Sequence, residues 1–325
     1  MRLFSNTKID FLGSRRVAAW LSAAIIIPGL VLIPVFGINY SVEFTGGTQV
    51  WIRTIEPGEV SVMRQALTDN GVTSAEIIQA GVNTEFIIRA RVAVEGADAD
   101  NTQATVEAVT TALDAALGVD GWSVREAEAV SPKVGGELRQ KAFFAILLSF
   151  VAVLFYLWYR FEWRFGAAAV AATVHDILAT VAFIAVFRIE VSLFVVGALL
   201  SVVGYSLNDT IVIFDRVREN LRRSKREDFV GILNDSINQT LPRTALTSGT
   251  SFAVLLALAT LGGEVVRPFA LVMLFGVVVG TYSSIFIASP VLLAIERRWP
   301  GAQVRGVKSP VPGTASKRKR PQTVS

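Results

Sequence analysis

The chain has 325 residues, of which 52% are hydrophobic, and its positive mean hydropathy excludes an ordinary soluble protein of this length. It has no cysteine, which excludes disulfides and thiolate metal sites. The net charge of +4 would suit a nucleic-acid binder, but in membrane proteins basic residues more often mark cytoplasmic loops, so their positions matter more than their sum.

Six stretches are long and apolar enough to cross a membrane, which takes about 20 mostly apolar residues. The first follows Arg15 and Arg16, as the apolar part of a cleavable signal would. Its run is long, however, and residues 38–40 form a poor small-residue cleavage site, so we predict a retained helix. The predicted spans are residues 17–36, 142–159, 165–187, 191–214, 244–261 and 269–295.

Basic residues are concentrated on one side of this six-span arrangement. They precede the first span, separate the second from the third and the fourth from the fifth, and follow the sixth. Residues 37–139 carry more carboxylates than basic groups, so the positive-inside rule places them outside and both termini in the cytoplasm. Residues 300–325 form a basic tail predicted to be disordered, which is either a solvated orientation signal or a contact for acidic lipid or ribosomal RNA.

Residues 37–139 suffice for one small domain between the first two membrane helices. Strands are predicted at 49–54, 73–80, 85–92 and 122–130, with helices at 57–70 and 100–117. This βαββαβ order predicts a ferredoxin-like α+β fold, for which a docking or lever role is expected. The carboxylates of residues 95–100 lack the spacing of a calcium loop, and the domain shows no nucleophile–base arrangement, so we expect no metal, cofactor or enzymatic activity.

Polar residues interrupt the third and fourth spans. Asp209 lies between Asn208 and Thr210 inside the fourth span. A carboxylate at such a depth costs about 2.5 kcal/mol or more and is by default a functional-site hypothesis. His175 and Asp176 lie near the middle of the third span, where they either extend a proton path or form a hydrogen-bonded contact between helices.

The fifth span adds an arginine and several hydroxyls. Arg243, Thr247 and Ser251 are spaced by four residues and share one helix face, with Ser248 beside it, and this face is expected to meet Asp209. Two interpretations stay open. In one, Asp209 and Arg243 form a static buried ion pair that fixes helix register. In the other, Asp209 binds and releases a proton while Arg243 and the hydroxyls adjust its affinity.

Small residues predict where the fourth and sixth spans approach other helices closely. They are Gly197, Ser201 and Gly204 in the fourth span, and Gly276 and Gly280 in the sixth.

Four motifs resemble signatures of SecF proteins, members of the SecD/SecF family of the bacterial protein-export machinery. They are VEFTGGTQV at 42–50, VSPKVGGEL at 130–138, GYSLNDTIVIFDRVREN at 204–220 and RTALTSGTSF at 243–252. The resemblance extends from the first span to about Trp299. One departure is Glu43, where many relatives have aspartate.

This resemblance implies a six-span fold of the resistance–nodulation–division type with a ferredoxin-like periplasmic domain. It also implies a complex with SecD in the bacterial plasma (inner) membrane, associated with the SecYEG channel and surrounded by membrane lipids, with no nucleic-acid partner. Such a complex uses the proton-motive force to help draw exported, unfolded polypeptides across the membrane. By position, Asp209 matches the family's proton-linked aspartate and Arg243 its fifth-span arginine. The family includes sodium-coupled members, so the ion stays open.

Two other functions stay open. A drug or lipid exporter of the same superfamily would be expected to carry two large outer domains and two six-span halves in one chain, and this chain has one of each. A non-transporting scaffold that stabilises the export channel is the other alternative, since a scaffold could retain the same ion pair.

Overall fold

The computed structural model describes residues 7–72, 75–80, 82–90, 102–130, 132–223, 228–263 and 265–299. Within them, six helices are long and apolar enough to cross a membrane, and one four-stranded antiparallel sheet lies between the first two along the chain. The predicted fold class, an α-helical polytopic membrane protein with one α+β domain, is thereby confirmed. The carboxylates of residues 95–100 and the basic tail at 300–325 lie outside the described residues.

The α+β domain follows the first membrane helix, α1 (Arg15–Phe36). Its elements are α2 (Val42–Thr45), β1 (Gly47–Thr54), α3 (Val60–Asp69), β2 (Glu76–Gln79), β3 (Glu85–Ala90), α4 (Thr102–Leu117) and β4 (Trp122–Val130). The strand order is β2-β3-β1-β4 with every neighbouring pair antiparallel, which is the predicted ferredoxin-like arrangement with one short added helix. Val50 and Ile52 of β1 point into a core that includes Met63, Leu67 and Leu113.

The remaining membrane helices follow β4. They are α5 (Pro132–Arg160), α6 (Trp163–Val186), α7 (Leu193–Arg223), α8 (Phe229–Leu261), α9 (Arg267–Ser283) and α10 (Ser289–Arg298), the last two joined by a π-helical turn, Ser284–Ala288. Helix α7 has 31 residues. It is therefore about 46 Å long, whereas the hydrocarbon core of a bilayer is about 30 Å thick.

The helices of the fourth and fifth spans extend beyond the predicted spans at the ends that face each other. Helix α7 continues to Arg223 and α8 begins at Phe229, so the arginines expected in a loop at 216–223 belong to α7. The reason is that apolar residues continue at helical spacing past the uninterrupted apolar run. Val217, Leu221 and Leu233 join the buried core of the bundle.

Close helix packing is confirmed at the predicted glycines of the sixth span. A Cβ at Gly276 would lie 2.1 Å from Cγ2 of Val202, and one at Gly280 would lie 3.0 Å from Cβ of Ser206. The expectation is wrong for the fourth span within this chain. Gly197 and Gly204 have open space beside them, and Ser201 is exposed on the same outward side of α7.

The segment between α1 and β1 holds the α+β domain against the bundle. The Val191 N–H donates to the Asn39 carbonyl at 2.8 Å, and the Ser41 N–H donates to the Val191 carbonyl at 3.0 Å, which makes a single parallel bridge at Tyr40. Residues 36–47 and 188–193 are called the joint. The adjoining end of the bundle, where α1 and α6 end and α7 begins, is called the domain end.

Two glycine motifs also meet beside the joint. A Cβ added to Gly135 of α5 would lie 3.0 Å from the Gly46 nitrogen and 3.0 Å from the Phe44 carbonyl carbon. The motifs at 42–50 and 130–138 are therefore packed backbone against backbone, and a side chain at Gly135 would separate them.

Candidate functional site

Asp209 lies near the middle of α7 and is only 3% exposed. Its Oδ2 accepts a hydrogen bond from Ser248 Oγ of α8 at 3.3 Å, and Ser248 shares a 2.7 Å hydrogen bond with Thr281 Oγ1 of α9. Three membrane helices therefore meet at this carboxylate. Because a charge is costly at such a position, a carboxylate with this sparse hydrogen bonding is well suited to bind a proton.

Arg243 is exposed on α8, and among the described side chains no ion pair within 4 Å joins it to Asp209. The static buried ion pair is thus not formed in this structure. The Thr247 hydroxyl donates to the Arg243 backbone carbonyl at 3.1 Å, and Ser251 is half-buried on the same side. The face of α8 that contacts Asp209 carries Ser248. It is rotated from the predicted face, which carries Arg243, Thr247 and Ser251.

The buried face of α8 carries four hydroxyls at a spacing of four residues. Its members are Ser236, Thr240, Thr244 and Ser248. The rotation of α8 about its axis is set by the buried apolar residues Leu233, Ile237 and Leu255. The sequence pattern did not predict which side of α8 would be buried. Thr244 Oγ1 is buried and has no hydrogen-bond partner among the described residues, one turn from Ser248.

A second buried carboxylate, Asp176 of α6, is 1% exposed and lies at the centre of another hydrogen-bonded cluster. It accepts hydrogen bonds from Ser206 Oγ of α7 and, at 2.7 Å, from Ser283 Oγ of α9. His175 Nδ1 lies 2.9 Å from Asp176 Oδ1, which satisfies the other oxygen. Asp176 thus connects three helices and has more partners than Asp209.

The cluster continues from His175 to α1. His175 Nε2 lies 2.9 Å from Ser22 Oγ, which shares a 3.1 Å hydrogen bond with the Tyr282 hydroxyl. The Tyr282 hydroxyl donates to the Ala18 carbonyl at 2.6 Å. His175 and Asp176 therefore take part in hydrogen-bonded contacts between membrane helices.

The two residues that flank Asp209, Asn208 and Thr210, lie on different sides of α7. Thr210 Oγ1 shares a 2.8 Å hydrogen bond with Ser284 Oγ, at the start of the π-helical turn. Asn208 is exposed on the outward side of α7, next to Gly204. The structure therefore brings Asp209, Thr210 and Ser248 into the bundle and leaves Asn208 facing away from it.

Several members of the two clusters were not predicted from the sequence. They are Ser22, Ser206, Thr281, Tyr282, Ser283 and Ser284. Hydroxyl residues are frequent in membrane helices, so each is a weak signal alone. In the described part of the chain, no group of three or more histidine or carboxylate side chains is placed to hold a metal ion.

The joint contains a direct contact between the α+β domain and the helix that carries Asp209. Glu43 Oε2 accepts a hydrogen bond from the N–H of Leu193, the first residue of α7, at 2.6 Å. A carboxylate at this position satisfies an otherwise unpaired amide and interacts favourably with the helix dipole. Beside it, Arg89 of β3 forms an ion pair with Glu190.

A cleft of about 370 Å³ adjoins these contacts and is rich in carboxylates. Glu43, Glu126, Glu128 and Glu190 line it together with Arg89. Partial burial raises the pKa of Glu128 above the ordinary glutamate value, and the neighbouring carboxylates of Glu43 and Glu126 raise it further. This cleft therefore holds a carboxyl group, that of Glu128, which resists ionisation.

Six membrane-length helices, two buried carboxylates at helix junctions and an α+β domain at one end define an integral membrane protein of the transport class. The family model for the C-terminal part of the protein-export membrane proteins SecD/SecF matches residues 109–298, and the SecD/SecF GG motif matches residues 31–53. The chain belongs to the SecD/SecF family, as its motifs predicted.

Individual relatives agree with this assignment. The chain is 50% identical to the protein translocase subunit SecF of Gemmatimonas aurantiaca, over 98% of this chain and 97% of that protein. It is 43% identical to the protein translocase subunit SecF of Magnetococcus marinus, over 91% of this chain and 94% of that protein.

Solved structures of SecDF have the same fold. The crystal structure of SecDF, a translocon-associated membrane protein from Thermus thermophilus, is similar with a TM-score of 0.79 at 35% identity, over 92% of this chain. SecDF in its super-membrane-facing form is similar with a TM-score of 0.63 at 35% identity, over 90% of this chain. The chain spans 40% and 39% of those SecDF chains, respectively.

Proposed function

We propose that this chain acts with SecD, at the SecYEG channel of the bacterial plasma membrane, to draw exported unfolded polypeptides outward at the expense of the proton-motive force. Both termini lie in the cytoplasm and the α+β domain in the periplasm. Asp209 binds and releases the proton. Arg243, on α8, adjusts the proton affinity of Asp209 through its positive charge and does not form a fixed ion pair with it.

The observation on which this proposal rests is the environment of Asp209. The carboxylate is buried among three membrane helices, and its described hydrogen-bond partner is the neutral hydroxyl of Ser248. An aspartate at the centre of a membrane helix costs about 2.5 kcal/mol or more, and a proton lowers this cost by neutralising the carboxylate. Movement of one charge through 100 mV supplies about 2.3 kcal/mol, which is of the same size. A proton gradient is therefore strong enough to change the state of this site.

The joint supplies a path from Asp209 to the periplasmic domain. Asp209 and Leu193 belong to the same helix, α7, and the Leu193 amide is held by Glu43. On the other side, β4 ends at Val130 and α5 begins at Pro132, so a single residue separates the domain from the second membrane helix. A shift of α7 against α8 and α9 would then move the domain, which has the role of a lever.

The outward side of α7 supports the need for a partner. Asn208 is exposed at the depth of Asp209, beside the open space at Gly204. An amide that faces hydrocarbon is unfavourable, whereas small residues and an amide together suit close packing of another helix. SecD is the expected source of that helix, since SecDF structures contain a chain like this one as about two fifths of their length.

Export into inverted vesicles tests the function. The vesicles contain this chain, SecD and SecYEG, and export is followed after ATP is exhausted, with and without a proton gradient. Asp209→Asn is expected to abolish the gradient-dependent part while complex assembly stays intact. Asp215→Asn is the matched control, because Asp215 lies on the same helix, six residues after Asp209, in a half-exposed ion pair with Arg160. A sodium gradient in place of the proton gradient distinguishes the coupling ion.

The alternatives give different results in the same vesicles. A scaffold that only stabilises the channel would support equal export with wild-type chain and Asp209→Asn. Half of an exporter would move small amphiphiles independently of SecYEG. Either result would replace the proposed function.

A further inference from the structure

A cavity of about 590 Å³ opens at the domain end of the bundle, separate from the two carboxylate clusters. It lies between α5 on one side and α1, α6 and α7 on the other. The lining toward the membrane interior is apolar. It includes Ile33, Phe143, Ile146, Ile184, Ala185 and Leu199. The volume is in the range of small-molecule sites, and its walls are of the kind that bind hydrocarbon.

Two arginines line the same cavity at the level where the membrane helices end. Arg188 follows the end of α6, and its Nη1 donates to the carbonyls of Phe36 at 3.0 Å and Gly37 at 2.8 Å. Arg139 is exposed on α5, just before the apolar run that begins at Ala142. No ion pair of Arg139 is found among the described side chains.

An apolar cavity with cationic groups at one end requires an amphipathic occupant with an anionic group. The arginines lie at the membrane–water boundary, where lipid phosphates are found, and the apolar lining continues from there toward the hydrocarbon core. Arginine is suited to phosphate because its planar guanidinium donates several hydrogen bonds in a fixed geometry. Phe143, which lines the cavity, is also largely exposed, so the cavity is open beside α5.

We propose that this cavity is a phospholipid-binding site, with one acyl chain between α5 and α6 and the headgroup phosphate at Arg139 and Arg188. The occupant would lie directly beneath the joint, because Asn39, Tyr40 and Val191 also line the cavity. The bound lipid would then fill the gap between the domain's attachment and the bundle. This site does not depend on proton coupling at Asp209.

Photolabelling tests the site in the full chain assembled with SecD. The complex is placed in nanodiscs of phosphatidylethanolamine and phosphatidylglycerol that contain a trace of phosphatidylglycerol with a diazirine on one acyl chain. After illumination, labelled peptides are identified by mass spectrometry. We expect labelling concentrated around Ile146 and Ala185. Ala185→Trp, which fills the cavity, is expected to reduce it at least fivefold. Leu148→Trp, on the exposed side of α5, is the matched control and should leave it unchanged.

Competition identifies the headgroup requirement. Unlabelled phosphatidylglycerol should displace the label several-fold better than diacylglycerol, which has the same chains and no phosphate. Arg139→Gln should reduce that preference. Four results would overturn the proposal: even labelling along all faces of α5, equal competition by diacylglycerol, protection of the cavity by SecD, or displacement of the label by an arrested exported polypeptide. Protection by SecD or displacement by the polypeptide would assign the cavity to a protein segment instead.

Discussion

The carboxylate of Glu43 holds the backbone amide of Leu193 at 2.6 Å, so a residue of the segment that leads into the α+β domain caps the helix on which Asp209 lies. The glutamate side chain spans the gap between α2 and the first residue of α7. The contact gives the motif at 42–50 a physical role, which is to connect the domain to α7.

Removal of this cap should loosen the first turn of α7. Glu43→Ala should cost about 1 kcal/mol locally, as loss of a helix N-cap does, and raise amide exchange at residues 193–196 about fivefold. Hydrogen exchange followed by mass spectrometry measures this. Glu126→Ala, which removes a carboxylate from the same cleft without removing a cap, should leave those amides unchanged. Equal exchange in wild type and Glu43→Ala would show that the contact does not hold α7.

Paired glycine substitutions should separate close packing from helix propensity in α5. Gly136→Ala has open space and should stabilise the protein by up to about 1 kcal/mol through helix propensity. Gly135→Ala places a Cβ 3.0 Å from the backbone of Phe44 and Gly46, so it should be less stable than Gly136→Ala. Thermal unfolding of the two variants in the same micelles measures the difference. If both variants were stabilised equally, the two glycine motifs would not be in contact.

The Asp176 cluster should contribute mainly to stability. Ser283→Ala removes a buried 2.7 Å hydrogen bond to Asp176 Oδ2 and leaves Ser206 as the described donor to that oxygen, so it should destabilise the protein by about 1 kcal/mol. Ser201→Ala is the matched control, because the Ser201 hydroxyl is exposed and donates to the Gly197 carbonyl within its own helix. Denaturation in mixed micelles measures both variants. An equal loss of stability in the two variants would show that the hydrogen bond to Asp176 stabilises the protein no more than an exposed hydroxyl does.

The cleft at the joint should make stability depend on pH. The pKa of Glu128 is raised in the folded protein, so the folded state binds this proton more tightly than the unfolded state does. The free energy of unfolding should therefore fall as pH rises from the ordinary value of 4.5 through the folded-state pKa. Glu128→Gln should remove this contribution and become more stable than wild type above that window. Glu107→Gln, on the exposed side of α4, should follow the wild-type curve, and a Glu128→Gln curve parallel to wild type at every pH would contradict the assignment.

The membrane spans and the α+β order were predictable because each depends on local pattern. Strand β4 matches its predicted bounds at Trp122–Val130, and Asp209 was identified because an ionisable residue in a membrane helix is rare. The ends of α7 and α8 were missed because their amphipathic continuations are stabilised by packing against each other. An apolar run alone does not show this.

The partners of Asp209 were harder to predict because they depend on helix rotation. Four-residue spacing allows the Arg243–Thr247–Ser251 face and the Thr244–Ser248 face equally. The buried Leu233 and Ile237 decide between them by turning α8 toward the bundle. The Asp176 cluster required three helices to be placed at once, since Ser206 and Ser283 lie far from it in sequence.

Infrared difference spectroscopy across a pH change tests the central claim most directly, namely that Asp209 takes up and releases a proton. The chain is reconstituted with SecD, and wild type is compared with Asp209→Asn, Asp176→Asn and Asp215→Asn. The account predicts a component of the protonated-carboxyl band that grows as pH is lowered, persists in Asp176→Asn and Asp215→Asn, and is missing from the spectrum of Asp209→Asn. A band that survives unchanged in Asp209→Asn, or is lost in Asp176→Asn instead, would contradict it.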